Sequence, residues 1–120
     1  FSSRYSEEHY KKVFTTREMV ALREEGEGSD TGVVLIDSRK PDRYESWHIP
    51  DSINISVITT PSDQIESLFD RIPAGSKLIT VCDDFVSCFD ATVAGIKLES
   101  TGHTFLGRYT SPWEYREWAL

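Results

Sequence analysis

Residues 35–55 read LIDSRKPDRYESWHIPDSINI and carry the most informative pattern in the chain. The apolar run that starts at Val33 ends at Asp37, and a polar segment then leads to the tripeptide His48-Ile49-Pro50. An apolar run without alternation is typical of a strand that is buried on both faces of a sheet. The pattern therefore predicts a central strand whose carboxyl end opens into a polar loop.

Length and composition limit the possible functions. A chain of 120 residues is expected to form one domain with one core, over 1–120, with residues 1–14 as an N-terminal extension. The net charge of -7 comes from 13 basic and 20 acidic residues, which argues against a nucleic-acid surface. No apolar run approaches the ~20 residues that cross a bilayer. We expect a soluble domain that binds neither nucleic acid nor membrane.

The cysteine count indicates a compartment. Two cysteines do not make a disulfide scaffold, so the reducing cytoplasm is the expected location. Cys82 and Cys88 can still form a disulfide within their loop if their Cα atoms come within ~7 Å; the alternative is a free thiolate. The chain begins at Phe1 and has its single methionine at Met19. This indicates a domain taken from a longer polypeptide, fused to or associated with another protein domain.

Strand and helix signals alternate along the chain. Such an order predicts an α/β fold with a mostly parallel sheet of about five strands and helices on both faces. The acidic segment 24–32 is expected to be a flexible loop, and the helix that starts at Pro41-Asp42 is expected to carry Tyr44 and Trp47 onto the core. The other predicted elements are a helix capped by Thr15 or Thr16, the helices Ser62–Phe69 and Ala91–Ser100, a terminal helical turn Trp113–Trp118, and the strands Val33–Asp37, Lys77–Val81 and Thr104–Leu106.

The stretch 33–55 resembles the rhodanese homology domain. In that family an apolar strand is followed by D-x-R, an aromatic residue and H-I-P-G-A, and here Asp37 and Arg39 match the D-x-R pair. Asp51 and Ser52 stand where the family has Gly-Ala. The resemblance implies a rhodanese-like fold, with Asp37 and Arg39 as a salt-bridged brace.

The resemblance also implies a nucleophile, Cys82, which directly follows the strand Lys77–Val81. Ligands of parallel sheets bind at the carboxyl ends of strands, and backbone N–H groups of a helix start lower the pKa of a thiol. In the family this cysteine takes a sulfane sulfur from a donor, becomes a persulfide and passes the sulfur to a thiophilic acceptor. The implied function is a sulfurtransferase with a small-molecule or protein donor and acceptor, and no cofactor.

The segment after Cys82 departs from the family, which commonly has Gly and Arg there. Carboxylates beside a thiol raise its pKa and repel thiosulfate, by about 1 kcal/mol each, and a helix N-terminus offsets up to about 1 kcal/mol. We expect a modestly reactive Cys82, an apolar pocket rim at Phe85 and Val86, and a donor other than thiosulfate. The alternative is an inactive rhodanese-fold module with a binding or regulatory role. The predicted active-site loop consists of Asp83, Asp84, Phe85, Val86, Ser87 and Cys88.

Cell-cycle phosphatases with this fold have five residues between the cysteine and an arginine. That arginine position holds Cys88 in this chain, so the sequence argues against a phosphatase. Cys88 is either a small apolar residue at a helix start or a thiol that resolves an oxidised Cys82. Arg39 and Arg108 are candidate substrate-binding cations. Arg108 follows the last predicted strand, and a solvated surface residue is the favoured interpretation of it.

The remaining candidates favour structural roles. His48 and Pro50 belong to the H-I-P motif, in which a bracing turn is expected rather than proton transfer. His9 and His103 have no partners at ligand spacing, so no metal site is predicted. The aromatic residues near the end of the chain are expected to pack at the core and edge, and would mark a partner surface only if all were exposed. These are Trp113, Tyr115 and Trp118.

Overall fold

A computed structural model of the chain describes residues 12–26, 33–57, 59–73 and 75–119. His9, most of the expected N-terminal extension and most of the expected acidic loop 24–32 lie outside the described residues. The strands are β1 (Lys12–Phe14), β2 (Val33–Asp37), β3 (Ile53–Asn54), β4 (Lys77–Val81) and β5 (Thr104–Tyr109). The helices are α1 (Thr16–Gly26), α2 (Pro41–Ser46), α3 (Ser62–Phe69), α4 (Phe85–Ser100) and α5 (Pro112–Trp118).

The five described strands form one sheet in the order β1-β5-β4-β2-β3, and every neighbouring pair is parallel. The α/β fold predicted from the sequence is confirmed. Residues 12–14, the end of the expected N-terminal extension, add the edge strand β1 beside β5. Parallel neighbours all place their carboxyl ends at the same edge of the sheet, where a site is expected.

The central strands are apolar because helices cover both faces of the sheet. Neighbouring residues of β2 point to opposite faces, so Leu35 and Ile36 belong to different cores. One core contains residues of α3 and α4, and the other contains Met19 of α1 with Tyr115 of α5 packed against it. This double burial explains why the run 33–37 shows no alternation.

The largest differences from the predicted bounds are in β5 and α4. α1 also continues to Gly26, into the segment expected to be a loop from residue 24, and α5 begins at Pro112, one residue before its predicted start. β5 continues to Tyr109 rather than ending at Leu106, and its register with β4 passes from Phe105 to Gly107, which leaves Leu106 as a bulge. A bulge interrupts the period-two pattern that would have revealed the longer strand. α4 begins at Phe85 instead of near Ala91, because a cap forms at a position that the sequence prediction treated as loop.

A buried hydroxyl joins the end of β5 to two helices. The hydroxyl of Tyr109 lies 2.6 Å from the Thr16 hydroxyl and donates to the carbonyl of Ser111 at 2.6 Å. Burial raises the pKa of Tyr109 above its ordinary value. The side chain therefore stays neutral and can donate where α1, β5 and α5 meet.

Tyr44 on α2 and Trp47 at its C-cap are both partly buried but have different neighbours. Trp47 is partly buried against the core that contains Met19, whereas Tyr44 is half-buried and donates its hydroxyl hydrogen to the carbonyl of Ser52 at 2.6 Å. Across the part of the chain that the structure describes, no helix is long and apolar enough to cross a membrane.

Gly95 controls how closely α4 approaches the sheet. A Cβ atom at this position would come within 2.4 Å of the Phe105 ring, which is 3% exposed. We expect Gly95→Ala to destabilise the fold by about 1–3 kcal/mol through overpacking, more than the 0.5–1 kcal/mol that alanine gains over glycine in a helix. Chemical denaturation measures the difference.

The control is the same substitution in a background where Phe105 is replaced by a smaller side chain without a ring. In a Phe105→Leu background, Gly95→Ala should cost less than in the wild type, and the double-mutant cycle gives the coupling between the two sites. Equal costs in both backgrounds would contradict a clash with Phe105.

Candidate functional site

The carboxyl ends of β2, β4 and β5 converge at one edge of the sheet. Asp37 is in register with Val81, and the N–H of Ser38 donates to the carbonyl of Val81 at 2.9 Å. The N–H of Cys82 donates to the carbonyl of Tyr109 at 3.0 Å. These bonds extend the ladder past the strand ends, so that the D-x-R segment and the segment after Cys82 leave the sheet side by side.

Cys82 and Cys88 are joined by a disulfide. Their Cα atoms are 4.9 Å apart, and the Cys82 residue is fully buried. The separation lies within the ordinary range for a disulfide, as the sequence allowed. Of the two alternatives left open for Cys82, the structure contains the bonded form and not the free thiolate.

The segment that follows Cys82 is mostly helical rather than an open loop. Asp84 is the N-cap of α4, and its carboxylate accepts the N–H of Ser87 at 2.7 Å. The Ser87 hydroxyl accepts the N–H of Asp84 at 3.1 Å, which completes a capping box. The helix can therefore start directly after Asp84, and Cys88 lies in its first turns.

Capping occupies backbone donors that would otherwise face the sulfur. The N–H groups of Asp83 and Asp84 both donate to the Ser87 hydroxyl, at 3.0 and 3.1 Å, and the N–H of Cys88 donates to the carbonyl of Asp84 at 2.9 Å. The sequence led us to expect that amides of this segment would stabilise a thiolate. In the disulfide form, these three amides instead have acceptors inside the segment itself.

Arg39 is the buried brace that the D-x-R motif predicts. Its Nη2 atom lies 2.8 Å from Asp37 Oδ2 and donates to the carbonyl of Trp47 at 2.7 Å, and the side chain is fully buried. Burial lowers the pKa of Arg39, but the hydrogen bonds and charge of Asp37 together with the charge of Asp83 outweigh it, and the net effect raises that pKa. Arg39 therefore stays charged and does not line the pocket mouth.

The carboxylates next to Cys82 are paired with arginines from another segment. Asp83 lies 2.6 Å from Nη2 of Arg43 on α2 and 3.6 Å from Nη1 of Arg39, and its side chain is 4% exposed. Arg43 also lies 3.6 Å from Asp84. The sequence led us to expect carboxylates without compensating cations beside the thiol. That expectation was wrong, because the compensating cations lie in the segment after β2.

The pKa of Asp84 is held below its ordinary value. The main cause is the hydrogen bond from the backbone N–H of Ser87, burial opposes it, and the Ser87 hydroxyl with the charges of Arg43 and Lys40 lowers the pKa further. The cap is therefore an ionised carboxylate at neutral pH.

A cavity of about 340 Å³ opens beside the helix start. Its charged lining has three carboxylates and two cations, so the cavity is not an anion cradle. The fully buried Cys82 is absent from the lining, although residues of the segment that follows it contribute. The lining consists of Ser38, Lys40, Asp42, Arg43, Ser56, Asp84, Val86, Ser87 and Asp90.

Asp90 fixes the opposite wall of this cavity. It is 2% exposed on α4, and its carboxylate accepts the hydroxyl of Ser56 at 3.0 Å and the N–H of Val57 at 2.9 Å. These bonds tie the segment after β3 to α4. The exposed Val86 also lines this cavity, whereas the side chain of Phe85 lies outside what the structure describes.

The H-I-P segment forms a turn. His48 stacks on Tyr44 with ring centroids 3.8 Å apart, and its Nδ1 lies 2.9 Å from the carbonyl of Tyr44. The carbonyl of Pro50 accepts from Arg23 at 3.0 Å. Asp51 has a φ of 70°, the left-handed conformation that favours glycine and that Asp tolerates better than most residues. This backbone conformation gives a physical reason for the glycine that the family has at the position of Asp51.

Arg39 and Arg43 both contact the segment after Cys82. Arg108 is half-buried within β5. Arg108 pairs in register with Thr80 on one side and Val13 on the other. Its predicted place after the strand was wrong because β5 is longer than the pattern indicated. Arg43 was missed by the sequence analysis, although its position four residues after Arg39 could have placed it at the same sheet edge.

The aromatic residues near the C-terminus are not all exposed. Trp113 and Trp118 are 38% and 53% exposed, whereas Tyr115 packs against the core. The Trp113 ring centroid lies 5.7 Å from that of Trp47 and 5.6 Å from the guanidinium carbon of Arg39. Because the three residues are not all exposed, they do not mark a partner surface by the criterion given above. Trp113 instead helps to cover the buried Arg39.

The sequence profile described as a rhodanese-like domain matches residues 18–108. The chain belongs to the rhodanese-like domain family. No curated protein matches the chain in sequence. The folded domain is longer than the matched range, since β1 lies before residue 18 and α5 lies after residue 108.

A solved structure supports the same fold. The rhodanese-like chain is similar to the single-domain sulfurtransferase RDL2 of Saccharomyces cerevisiae, with a TM-score of 0.59 and 20% sequence identity. The likeness covers 91% of this chain and 93% of that protein. At this identity the comparison supports the architecture of the rhodanese-like domain, and the chemistry has to be argued from the site.

We expect the two arginines of the rhodanese-like site to differ strongly in their effect on stability. Arg39→Met would leave Asp37 buried without its partner, which costs about 3–5 kcal/mol. Arg43→Met removes a side chain that is 44% exposed and should cost about 1 kcal/mol or less. Urea denaturation of both variants checks the ranking, and similar losses would contradict the buried-brace assignment of Arg39.

The cap on α4 gives a second prediction. We expect Asp84→Ala to destabilise the domain by about 1 kcal/mol and Asp84→Asn to be nearly neutral at pH 7, because asparagine is an equally good N-cap. The depressed pKa means that the stabilisation from the Asp84 charge is complete above the ordinary value of 3.8 and is lost as the pH falls below it.

Denaturation at pH 7 and at about pH 3 measures this dependence. Acidification should lower the stability of the wild type relative to that of Asp84→Asn. A relative gain in wild-type stability at low pH would mean that the carboxylate is not held in its ionised form by the folded protein.

Proposed function

We propose that this domain is a sulfurtransferase in which Cys82, in the reduced state, carries a sulfane sulfur as a persulfide. The observation that supports the proposal most directly is the position of Cys82. It follows β4 at the carboxyl edge of the parallel sheet and precedes the N-terminus of α4, in a chain of the rhodanese-like family. A thiol at this place in the fold faces the region where ligands of open parallel sheets bind.

The proposed transfer has two displacement steps. The Cys82 thiolate attacks the outer sulfur of a donor persulfide, the new S–S bond forms on Cys82, and the donor leaves as a thiolate with the electron pair of the broken bond. An acceptor thiolate then attacks the outer sulfur on Cys82, becomes a persulfide and restores the Cys82 thiolate. No net oxidation occurs over the two steps.

Local charges favour a donor with little negative charge. Arg39 and Arg43 compensate Asp83 and Asp84, which lowers the net negative charge beside Cys82. The adjacent cavity still has more carboxylates than cations, and Val86 at its rim is 50% exposed. A cysteine persulfide or a protein persulfide suits this surface better than the thiosulfate dianion.

A second candidate function is a binding or regulatory module without catalysis. It is favoured by the amides of Asp83, Asp84 and Cys88, which are already hydrogen-bonded inside the segment, and by the complete burial of Cys82. A site whose donors are committed in this way offers little stabilisation to a persulfide anion.

The two functions are separated by persulfide loading in a protein with one thiol. We expect reduced Cys88→Ser to gain the mass of one sulfur atom when incubated with cysteine persulfide, and to gain less with 3-mercaptopyruvate and least with thiosulfate. Intact mass spectrometry measures the gain. The double variant Cys82→Ser/Cys88→Ser is the matched control and should gain nothing.

Circular dichroism establishes that each variant is folded before loading. Absence of any gain in folded, reduced Cys88→Ser with all three donors would overturn the sulfurtransferase proposal and support the noncatalytic module.

A further inference from the structure

Both cysteines of this chain are held in position by backbone hydrogen bonds. The N–H of Cys82 is bonded to Tyr109 on β5, and the N–H of Cys88 is bonded to the N-cap residue Asp84. The carbonyl of Cys88 accepts the hydroxyl of Thr92 at 3.0 Å, one helical turn further on. These bonds do not involve the sulfur atoms, so we expect them to persist when the disulfide is reduced.

The geometry brings the second thiol within reach of the first. A Cα separation of 4.9 Å lets the two sulfurs bond without any backbone movement. Cys88 lies in the first turns of a helix whose start is held by the capping box of Asp84 and Ser87. The reduced Cys88 thiol therefore remains next to whatever group Cys82 carries.

We propose that Cys88 is a resolving cysteine that converts the Cys82 persulfide into hydrosulfide and the Cys82–Cys88 disulfide. The Cys88 thiolate attacks Sγ of Cys82, and a bond forms between the two Sγ atoms. The bond from Cys82 Sγ to the outer sulfur breaks, and its electron pair leaves with that sulfur as hydrosulfide. The proton of the Cys88 thiol passes to solvent. This inference rests on the proposed function, since it requires a persulfide on Cys82.

The electron balance identifies a further partner by its chemistry. The outer sulfur is reduced to hydrosulfide, and the two cysteine thiols supply both electrons by becoming a disulfide. A second turnover needs an external dithiol, which reduces the disulfide by exchange and is itself oxidised. The domain would then act as a dithiol-dependent persulfide reductase, and the disulfide in the structure is the product of the resolving step.

Their places in the fold distinguish the two thiols. Cys82 lies at the strand end, where its backbone continues the sheet ladder, whereas Cys88 is in α4 beyond the N-cap. In the disulfide form Cys82 is fully buried and Cys88 is half-buried. Reduction frees the Cys88 side chain to take another rotamer. In such a rotamer the Cys88 sulfur no longer covers Cys82, and we expect a donor to reach the Cys82 sulfur from that side.

Proximity determines the fate of the persulfide. A thiol held in the same segment acts at an effective concentration of millimolar or higher. An external acceptor thiol at a lower concentration reacts more slowly than Cys88. We therefore expect the persulfide on the wild type to have a lifetime at least about tenfold shorter than on Cys88→Ser.

The test uses reduced, desalted protein under argon with stoichiometric cysteine persulfide and no added acceptor. The wild type should release one hydrosulfide for every two thiols that become unreactive toward iodoacetamide. Cys88→Ser should keep the added sulfur and release little hydrosulfide. Because the chain has two cysteines, a disulfide within one molecule of wild type can only be Cys82–Cys88.

Two controls isolate the step. Wild type without donor, kept under argon, must retain both thiols, which excludes oxidation by oxygen. Cys82→Ser must release no hydrosulfide above background, which excludes direct attack of Cys88 on the donor.

The failures of the two proposals are distinguishable. A wild type that loads and then keeps its sulfur as long as Cys88→Ser would overturn the resolving role and leave the sulfurtransferase intact. Failure of both proteins to load, with both folded and reduced, would overturn the proposed function and the resolving role together.

Discussion

The buried guanidinium of Arg39 is the constraint on which the site depends. A charge with no exposure must be compensated within the protein, and here compensation comes from Asp37 at the end of β2 and from Asp83 after Cys82. The same group donates to the carbonyl of Trp47 and lies under the ring of Trp113. Four separate parts of the chain are thus held around one cation at the carboxyl edge of the sheet.

The segment after Cys82 is organised as a helix start. Asp84 and Ser87 cap α4 reciprocally, and their hydrogen bonds also engage the N–H of Asp83. A helix start of this kind stabilises the fold, but its amides are then committed to the cap. What distinguishes the site is the second sulfur, because the helix brings Cys88 to a Cα separation of 4.9 Å from Cys82.

Electrostatic compensation across the fold changes how the acidic residues act. Considered along the chain, Asp83 and Asp84 are adjacent carboxylates next to a thiol. In three dimensions Arg43 is 2.6 Å from Asp83 and 3.6 Å from Asp84, so the net charge near Cys82 is much smaller than the local sequence indicates. The adjacent cavity still has more carboxylates than cations. This charge favours a sulfur donor with little negative charge.

The sequence alone determined the fold class and the central elements, because these depend on local signals. The unbroken apolar run 33–36 predicts a strand covered on both faces, and the predicted bounds of β2, β4 and α3 agree with the structure. The pair of Asp37 and Arg39 was expected from the resemblance of this segment to the family's D-x-R motif, and the structure contains it. The identity of Cys82 as the candidate nucleophile came from a resemblance to a family and remains a proposal.

Tertiary structure decided the features that depend on partners distant in sequence. The start of α4 was misplaced because acidic residues after a strand are consistent with either a loop or a cap. The pairing of Arg43 with Asp83 joins residues 40 positions apart, and no periodicity reports such a contact. The disulfide was one of two open alternatives, since only the fold sets the distance between two Cα atoms. Local pattern specified the elements, whereas the charge and redox state of the site follow from how those elements pack.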